Sequence, residues 1–164
     1  QRITYDLGDV QKHQAIVRVA GCGLCHTDLS FYTGEVTPRA GLPLVFGHEI
    51  SGVVEEAGSD FAALAGKSVV IPAVMPCGEC DLCSAGCHNS CARQFMPGND
   101  GNGGFSTHVK FPARYLSVLP DDLGGYALAD LSVIADAVTT PYQSVTRAGI
   151  QPGDVAVVVG AGGI

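Results

Sequence analysis

Up to about residue 120 the chain alternates short runs of β-branched and aliphatic residues with Gly, Pro, Asn or Asp. The runs at 15–19, 50–54, 68–71 and 107–111 predict strands, and the punctuation between them predicts turns. Many short strands with Gly-rich turns indicate a barrel or sandwich. After Pro120 the pattern changes. Leu128, Leu131, Ile134 and Ala135 fall at helical spacing and predict a helix over 125–137. Thr140 followed by Pro141 reads as an N-cap and first helical position, opening a second helix toward Ala148, with Gly149 as its C-cap. Residues 155–159 are continuously apolar, as expected of a strand buried on both faces of a parallel sheet, and run into Gly160, Gly162 and Gly163. The expected order is a mainly β domain over 1–137, a helical bridge, and the first strand and turn of an α/β unit over 138–164.

Composition narrows this picture. Apolar residues make up 46% of the 164-residue chain and charged residues 15%, which predicts a packed core. No apolar run is long enough to span a membrane, and the start lacks a signal-peptide pattern. A formal net charge of −7 argues against a nucleic-acid partner, whose binding rests on displaced counterions. Seven cysteines, an odd number, point to a reducing compartment such as the cytoplasm and to metal ligation in place of disulfides.

The strongest motif is Cys77-x2-Cys80-x2-Cys83 followed by Cys91. Structural zinc takes four soft ligands in a closed tetrahedron, and close Cys-x2-Cys steps let one loop supply three. A rival register through Cys87 has the spacing of a ferredoxin iron–sulfur run and would make the chain an electron carrier. His88 stands where such runs carry Pro, and no second run exists, so zinc through Cys91 is favoured. A second constellation joins Cys22, Cys25, His26, Thr27 and Asp28 to His48 and Glu49. Cys, His and a carboxylate from distant segments suit a catalytic zinc with an open position. Spacing alone leaves Cys22 against Cys25, and His26 against His48.

These segments in this order, with residues 42–49 and Gly103-Gly104-Phe105, resemble the zinc-dependent medium-chain alcohol dehydrogenases. The resemblance implies a GroES-like, partly open β-barrel catalytic domain bridged by helices into a Rossmann domain that this chain only begins. It implies a catalytic zinc held by Cys25, His48 and Asp136, with Asp136 where many members have Cys, and a structural zinc held by Cys77, Cys80, Cys83 and Cys91. Glu49 resembles the nearby carboxylate that can approach the metal, and Asp28 the partner that orients the ligating His. Thr27 resembles the hydroxyl that takes the alcohol proton, while Ser30 stands where many members continue the relay with His.

Gly160-x-Gly162 opens a dinucleotide fingerprint, with Gly163 beside it, and Thr140 resembles the residue that packs near the nicotinamide. The implied reaction is reversible hydride transfer between a secondary alcohol and NAD, with two zinc ions per chain. Residues 95–105 and 135–143 look like those of 6-hydroxycyclohex-1-ene-1-carbonyl-CoA dehydrogenases, so the expected partner is a small alcohol or an acyl-CoA. The full-length enzyme is expected to be a dimer or tetramer. This portion alone is expected to turn over little or nothing; the alternatives are another medium-chain zinc dehydrogenase of alcohol or polyol substrates and, from a different class, the iron–sulfur electron carrier or a non-catalytic zinc module.

Overall fold

The computed structural model describes residues 4–160. Five strands, β1 (Gln14–Gly23), β2 (Glu49–Ala57), β3 (Ser68–Ile71), β4 (His108–Pro112) and β5 (Ser117–Val118), form one sheet in the order β4-β1-β2-β3-β5. Every pairing is antiparallel. The mainly β architecture expected from the sequence is therefore present.

Alternate residues supply the core, as the two-residue period of a strand requires. Ala15 and Val17 of β1, Ile50 and Val54 of β2, Val69 and Ile71 of β3, and Val109 and Phe111 of β4 are buried in one cluster. Phe95 meets Phe111 edge-on, with ring centroids 5.9 Å apart. Each fully buried aliphatic side chain contributes about 1.5–3 kcal/mol, so this cluster is the anchor from which the loops project.

The β1–β2 ladder is irregular where it matters for the site. Its register shifts between Ile16 and Val17 and again between Val19 and Gly21, after which Gly21, Cys22 and Gly23 pair with Ser51, Ile50 and Glu49. The ladder thus carries β1 beyond the predicted end at Val19. Segment 127–135 packs across these strands: the Ser51 hydroxyl, fully buried, donates to the Leu128 carbonyl at 2.7 Å. Gly21 has no room for a Cβ, because Ala129 backbone occupies that space.

Three expectations need correction. The helix expected over 125–137 is a 3-10 helix restricted to Asp130–Ala135. Gly124 and Gly125 hold positive φ angles of 63° and 85°, which keeps those two residues out of a right-handed helix. Helix α3 spans Thr139–Ala148, with Val138 as N-cap, so Thr140 lies inside its first turn. The Thr140 N–H already finds the Asp136 carbonyl at 2.9 Å, which starts the helix earlier. Gly149 does close it, in the left-handed conformation at φ 67°.

Residues 155–159 form no strand, and Val155, Val157, Val158 and Val159 are 83–97% exposed. A parallel-sheet strand needs neighbours for its backbone groups, and the described residues offer none. No helix among the described residues is long and apolar enough to cross a membrane.

Candidate metal centres

Register and turn chemistry build the first centre. Gly23, the last residue of β1, pairs with Glu49, the first of β2, so the segments leaving and entering these strands lie side by side. Cys25 follows as the N-cap of helix α1 (His26–Thr33), in extended conformation. His48 immediately precedes β2. Asp28, at the third position of α1 and 2% exposed, joins the two segments. One carboxylate oxygen accepts the Cys25 N–H at 3.0 Å and the other accepts the Gly47 N–H at 2.9 Å. Gly47 adopts φ 96°, and a Cβ there would meet the Cys22 sulfur. Glycine alone satisfies both conditions.

Cys25, His48, Glu49 and Asp136 each offer a donor atom, and these atoms all lie within 4.8 Å of one another. His48 is 1% exposed, and neither ring nitrogen has a hydrogen-bond partner. Its Nε2 lies 3.5 Å from an Asp136 oxygen and its Nδ1 3.9 Å from Asp28. Leaving a buried polar atom unsatisfied costs on the order of 1–3 kcal/mol, and two anionic carboxylates nearby add a need for positive charge. A mixed sulfur, nitrogen and oxygen set with an orphaned imidazole fits zinc.

Glu49, itself buried, has its pKa raised by burial first and then by Asp136, which a bound cation would reverse. Of the rival candidates, His26 is exposed. Cys22 stays outside the donor group, packed where Gly47 and Gly104 lack side chains, with its thiol pushed up to about 12 by burial and by Asp28. Thr27 approaches the centre, its hydroxyl 3.8 Å from the Cys25 sulfur. The Ser30 hydroxyl turns instead to Glu35, at 3.2 Å.

Beside Cys22 opens a groove of about 1310 Å³ walled by Phe31, Phe46 and Phe105, which none of the four donors lines.

The second centre is local. Cys77, Cys80, Cys83 and Cys91 also bring their sulfurs within 4.8 Å of one another, using the single turn of α2 (Asp81–Ser84) to return Cys83 beneath Cys80. The Cys91 sulfur accepts the N–H of Cys77 at 3.2 Å and of Arg93 at 3.4 Å. Backbone N–H donation from Glu79 pulls the Cys77 thiol down to about 6. Burial pushes Cys83 up to about 12. Four free sulfurs gathered this closely suit a closed tetrahedral cation site.

Cys87 is exposed and outside the group, so the geometry assembles the Cys91 register and not the one an iron–sulfur run would need. Arg93, which pairs with Glu79 at 3.1 Å beside this lobe, was invisible to motif spacing. So was the hydrogen bond from the Thr140 hydroxyl to the Asp136 carboxylate. Its one sequence signal is the four-residue separation of Asp136 and Thr140, which the turn from the Asp136 carbonyl to the Thr140 N–H brings together. Of the nucleotide-turn residues, Gly160 has the positive φ of a tight turn, 89°, while Gly162 and Gly163 lie outside the described residues.

Comparison with known proteins places this architecture. The model of the alcohol dehydrogenase GroES-like domain matches residues 11–121. An alcohol dehydrogenase of Geobacillus stearothermophilus is 35% identical over 153 residues, covering 92% of this chain and 44% of that protein. L-Threonine 3-dehydrogenase of Bacillus subtilis is 31% identical, over 95% of this chain and 44% of that protein. Among solved structures, an NAD-dependent alcohol dehydrogenase superposes with a TM-score of 0.82 at 28% identity, over 93% of this chain and 44% of the other. The alcohol dehydrogenase of the archaeon Aeropyrum pernix gives 0.78 at 32% identity, over 90% and 44%. The chain spans a little under half the length of these relatives. With a matched domain filling most of the described residues, the same sheet and a donor set suited to zinc, the chain belongs to the alcohol dehydrogenase GroES-like domain family.

Proposed function

We propose that this chain is the substrate- and metal-binding part of a zinc-dependent oxidoreductase that moves a hydride between a secondary alcohol and NAD. The observation that carries the proposal is the gathering of Cys25, Glu49 and Asp136 around the imidazole of His48, whose buried nitrogens have no hydrogen-bond partner. Zinc held by Cys25, His48 and Asp136 would supply Lewis-acid polarisation of the alcohol or carbonyl oxygen, and NAD would carry the hydride.

The chain's own residues do the rest. Asp28 ties Cys25 to Gly47 and so sets His48 against Cys25. Glu49, with a carboxylate oxygen inside the donor group, would be a further ligand to the ion. The Thr27 hydroxyl, both donor and acceptor, receives the substrate proton beside Cys25. With Ser30 held by Glu35, the proton leaves by a route other than the histidine relay of many relatives. In the four-cysteine lobe Cys77, Cys80, Cys83 and Cys91 would hold a second zinc, which would cross-link this loop-rich segment. In this reading residues 1–137 form the catalytic unit and 138–164 lead into the cofactor domain, where the positive φ of Gly160 would suit a turn that takes the pyrophosphate. Residues 95–105 and 135–143 support 6-hydroxycyclohex-1-ene-1-carbonyl-CoA as the substrate.

Zinc analysis of the full-length chain tests the core of this proposal. Wild type should hold two zinc ions, and Asp136→Ala one, with NAD-dependent alcohol oxidation lost. An Asp136→Ala protein retaining both metals and full activity would refute the assignment. Comparison of the CoA thioester with simple secondary alcohols, by kcat/KM, tests the substrate.

A further inference from the structure

The two oxygens of Asp136 have different neighbours. Oδ2 faces His48 Nε2 at 3.5 Å, within the donor group. Oδ1 accepts a hydrogen bond from the Thr140 hydroxyl. The backbone repeats this tie, since the Thr140 N–H donates to the Asp136 carbonyl at 2.9 Å. Thr139 fastens the same turn, its hydroxyl donating to the Ala135 carbonyl at 3.1 Å. Asp136 itself, at φ −140° and ψ −63°, sits between the 3-10 helix and α3.

A carboxylate on such a joint can turn about its side-chain bonds and present one oxygen, the other, or both to a cation. A donor fixed on one oxygen removes that freedom.

We propose that Thr140 is a positioning residue for the metal centre: its hydroxyl holds Oδ1 of Asp136 so that Oδ2 is the oxygen offered to the ion. The inference rests on the reading of Asp136 as a ligand, and it gives Thr140 a task distinct from any contact with the nicotinamide. Because Thr140 lies in the first turn of α3, one hydroxyl links the metal ligand to the start of that helix.

The test uses the full-length chain, with zinc affinity measured by chelator competition and the visible spectrum recorded after Co²⁺ substitution. Thr140→Val keeps the side-chain shape and deletes the donor. It should weaken zinc at this centre by roughly 10–100-fold and alter the Co²⁺ bands, while zinc in the four-cysteine lobe stays as tight as in wild type. Thr140→Ser, which restores a hydroxyl, should recover both readouts. If Thr140→Val disturbs the helix start by circular dichroism, Thr140→Ala provides the same deletion and is read in the same way.

Unchanged zinc affinity and an unchanged Co²⁺ spectrum in the deletion variant would overturn the assignment, as would failure of Thr140→Ser to recover them. These outcomes are separable from failure of the underlying reading. An Asp136→Ala protein that keeps all its zinc removes Asp136 from the ligand set, and Thr140 with it. An Asp136→Ala protein that loses one zinc while Thr140→Val binds as wild type removes only Thr140.

Discussion

Gly23 and Glu49 stand opposite one another at the end of the β1–β2 ladder, and the Glu49 carboxylate occupies the space a Gly23 side chain would need. That one pairing sets Cys25 and His48, each a short step from the ladder, on the same side of the sheet. Gly23→Ala should therefore displace Glu49 and strain the ladder end. Overpacking at such a contact costs about 1–3 kcal/mol, so a fall in the urea midpoint together with weaker zinc retention is expected. Wild-type values for both would show that the ladder end yields without cost.

Asp28 supports the centre from below. In Asp28→Ala the N–H groups of Cys25 and Gly47 lose their acceptors in a buried setting. At about 1–3 kcal/mol per orphaned donor, the loss should exceed that in Asp28→Asn, which keeps one acceptor oxygen. Denaturant unfolding of both variants checks the order, and equal losses would count against the two-oxygen role.

The four-cysteine lobe should distinguish its neighbours sharply. Cys91→Ser is expected to lower zinc content by one ion per chain and to unfold the 77–91 segment, seen as new protease cleavage there. Cys87→Ser, at an exposed position outside the group, should change neither. Zinc loss in the Cys87 variant would mean that the ligand register differs from the geometry described.

Glu49 makes the stability of the metal-free protein depend on pH. Its pKa lies above the ordinary 4.5, through burial first and Asp136 second, with His48 pulling the other way. Between the ordinary and the raised value the folded chain binds a proton that the unfolded chain has released. Stability of the metal-free chain should therefore fall as pH rises through that interval, and Glu49→Gln should flatten the decline. Urea midpoints across the interval decide the matter, with identical slopes in the two proteins as the contrary result.

Where apolar residues alternate against a filled core, the sequence was readable. β3 spans the predicted 68–71, and Val109 and Phe111 fall on the buried face as their spacing requires. Legibility failed where the chain borrows its conformation from neighbours. β1 continues through Gly21 to Gly23 because β2 supplies partners, although Gly is a poor strand former. The helical spacing of Leu128, Leu131 and Ile134 is real, yet the segment forms only a 3-10 helix, pinned by Ser51 and the close approach at Gly21. Spacing could not separate Cys22 from Cys25 or His26 from His48, since the motifs are locally equivalent. The β-bulge and the Asp28 bridge bring Cys25 and His48 into the donor group. Thr140 read as a cap because hydroxyls at helix starts usually are, whereas its side chain is given to Asp136.

The two donor groups also differ in how much polypeptide separates their members. One closes between residues 77 and 91, whereas the other waits for residue 136 to reach residues 25 and 48. As the ribosome extends the chain, the cysteine loop can capture an ion as soon as it emerges, whereas the long-range set must await completed folding. When the cell is short of metal, newly made molecules should accumulate with the loop loaded and the long-range donor group still vacant.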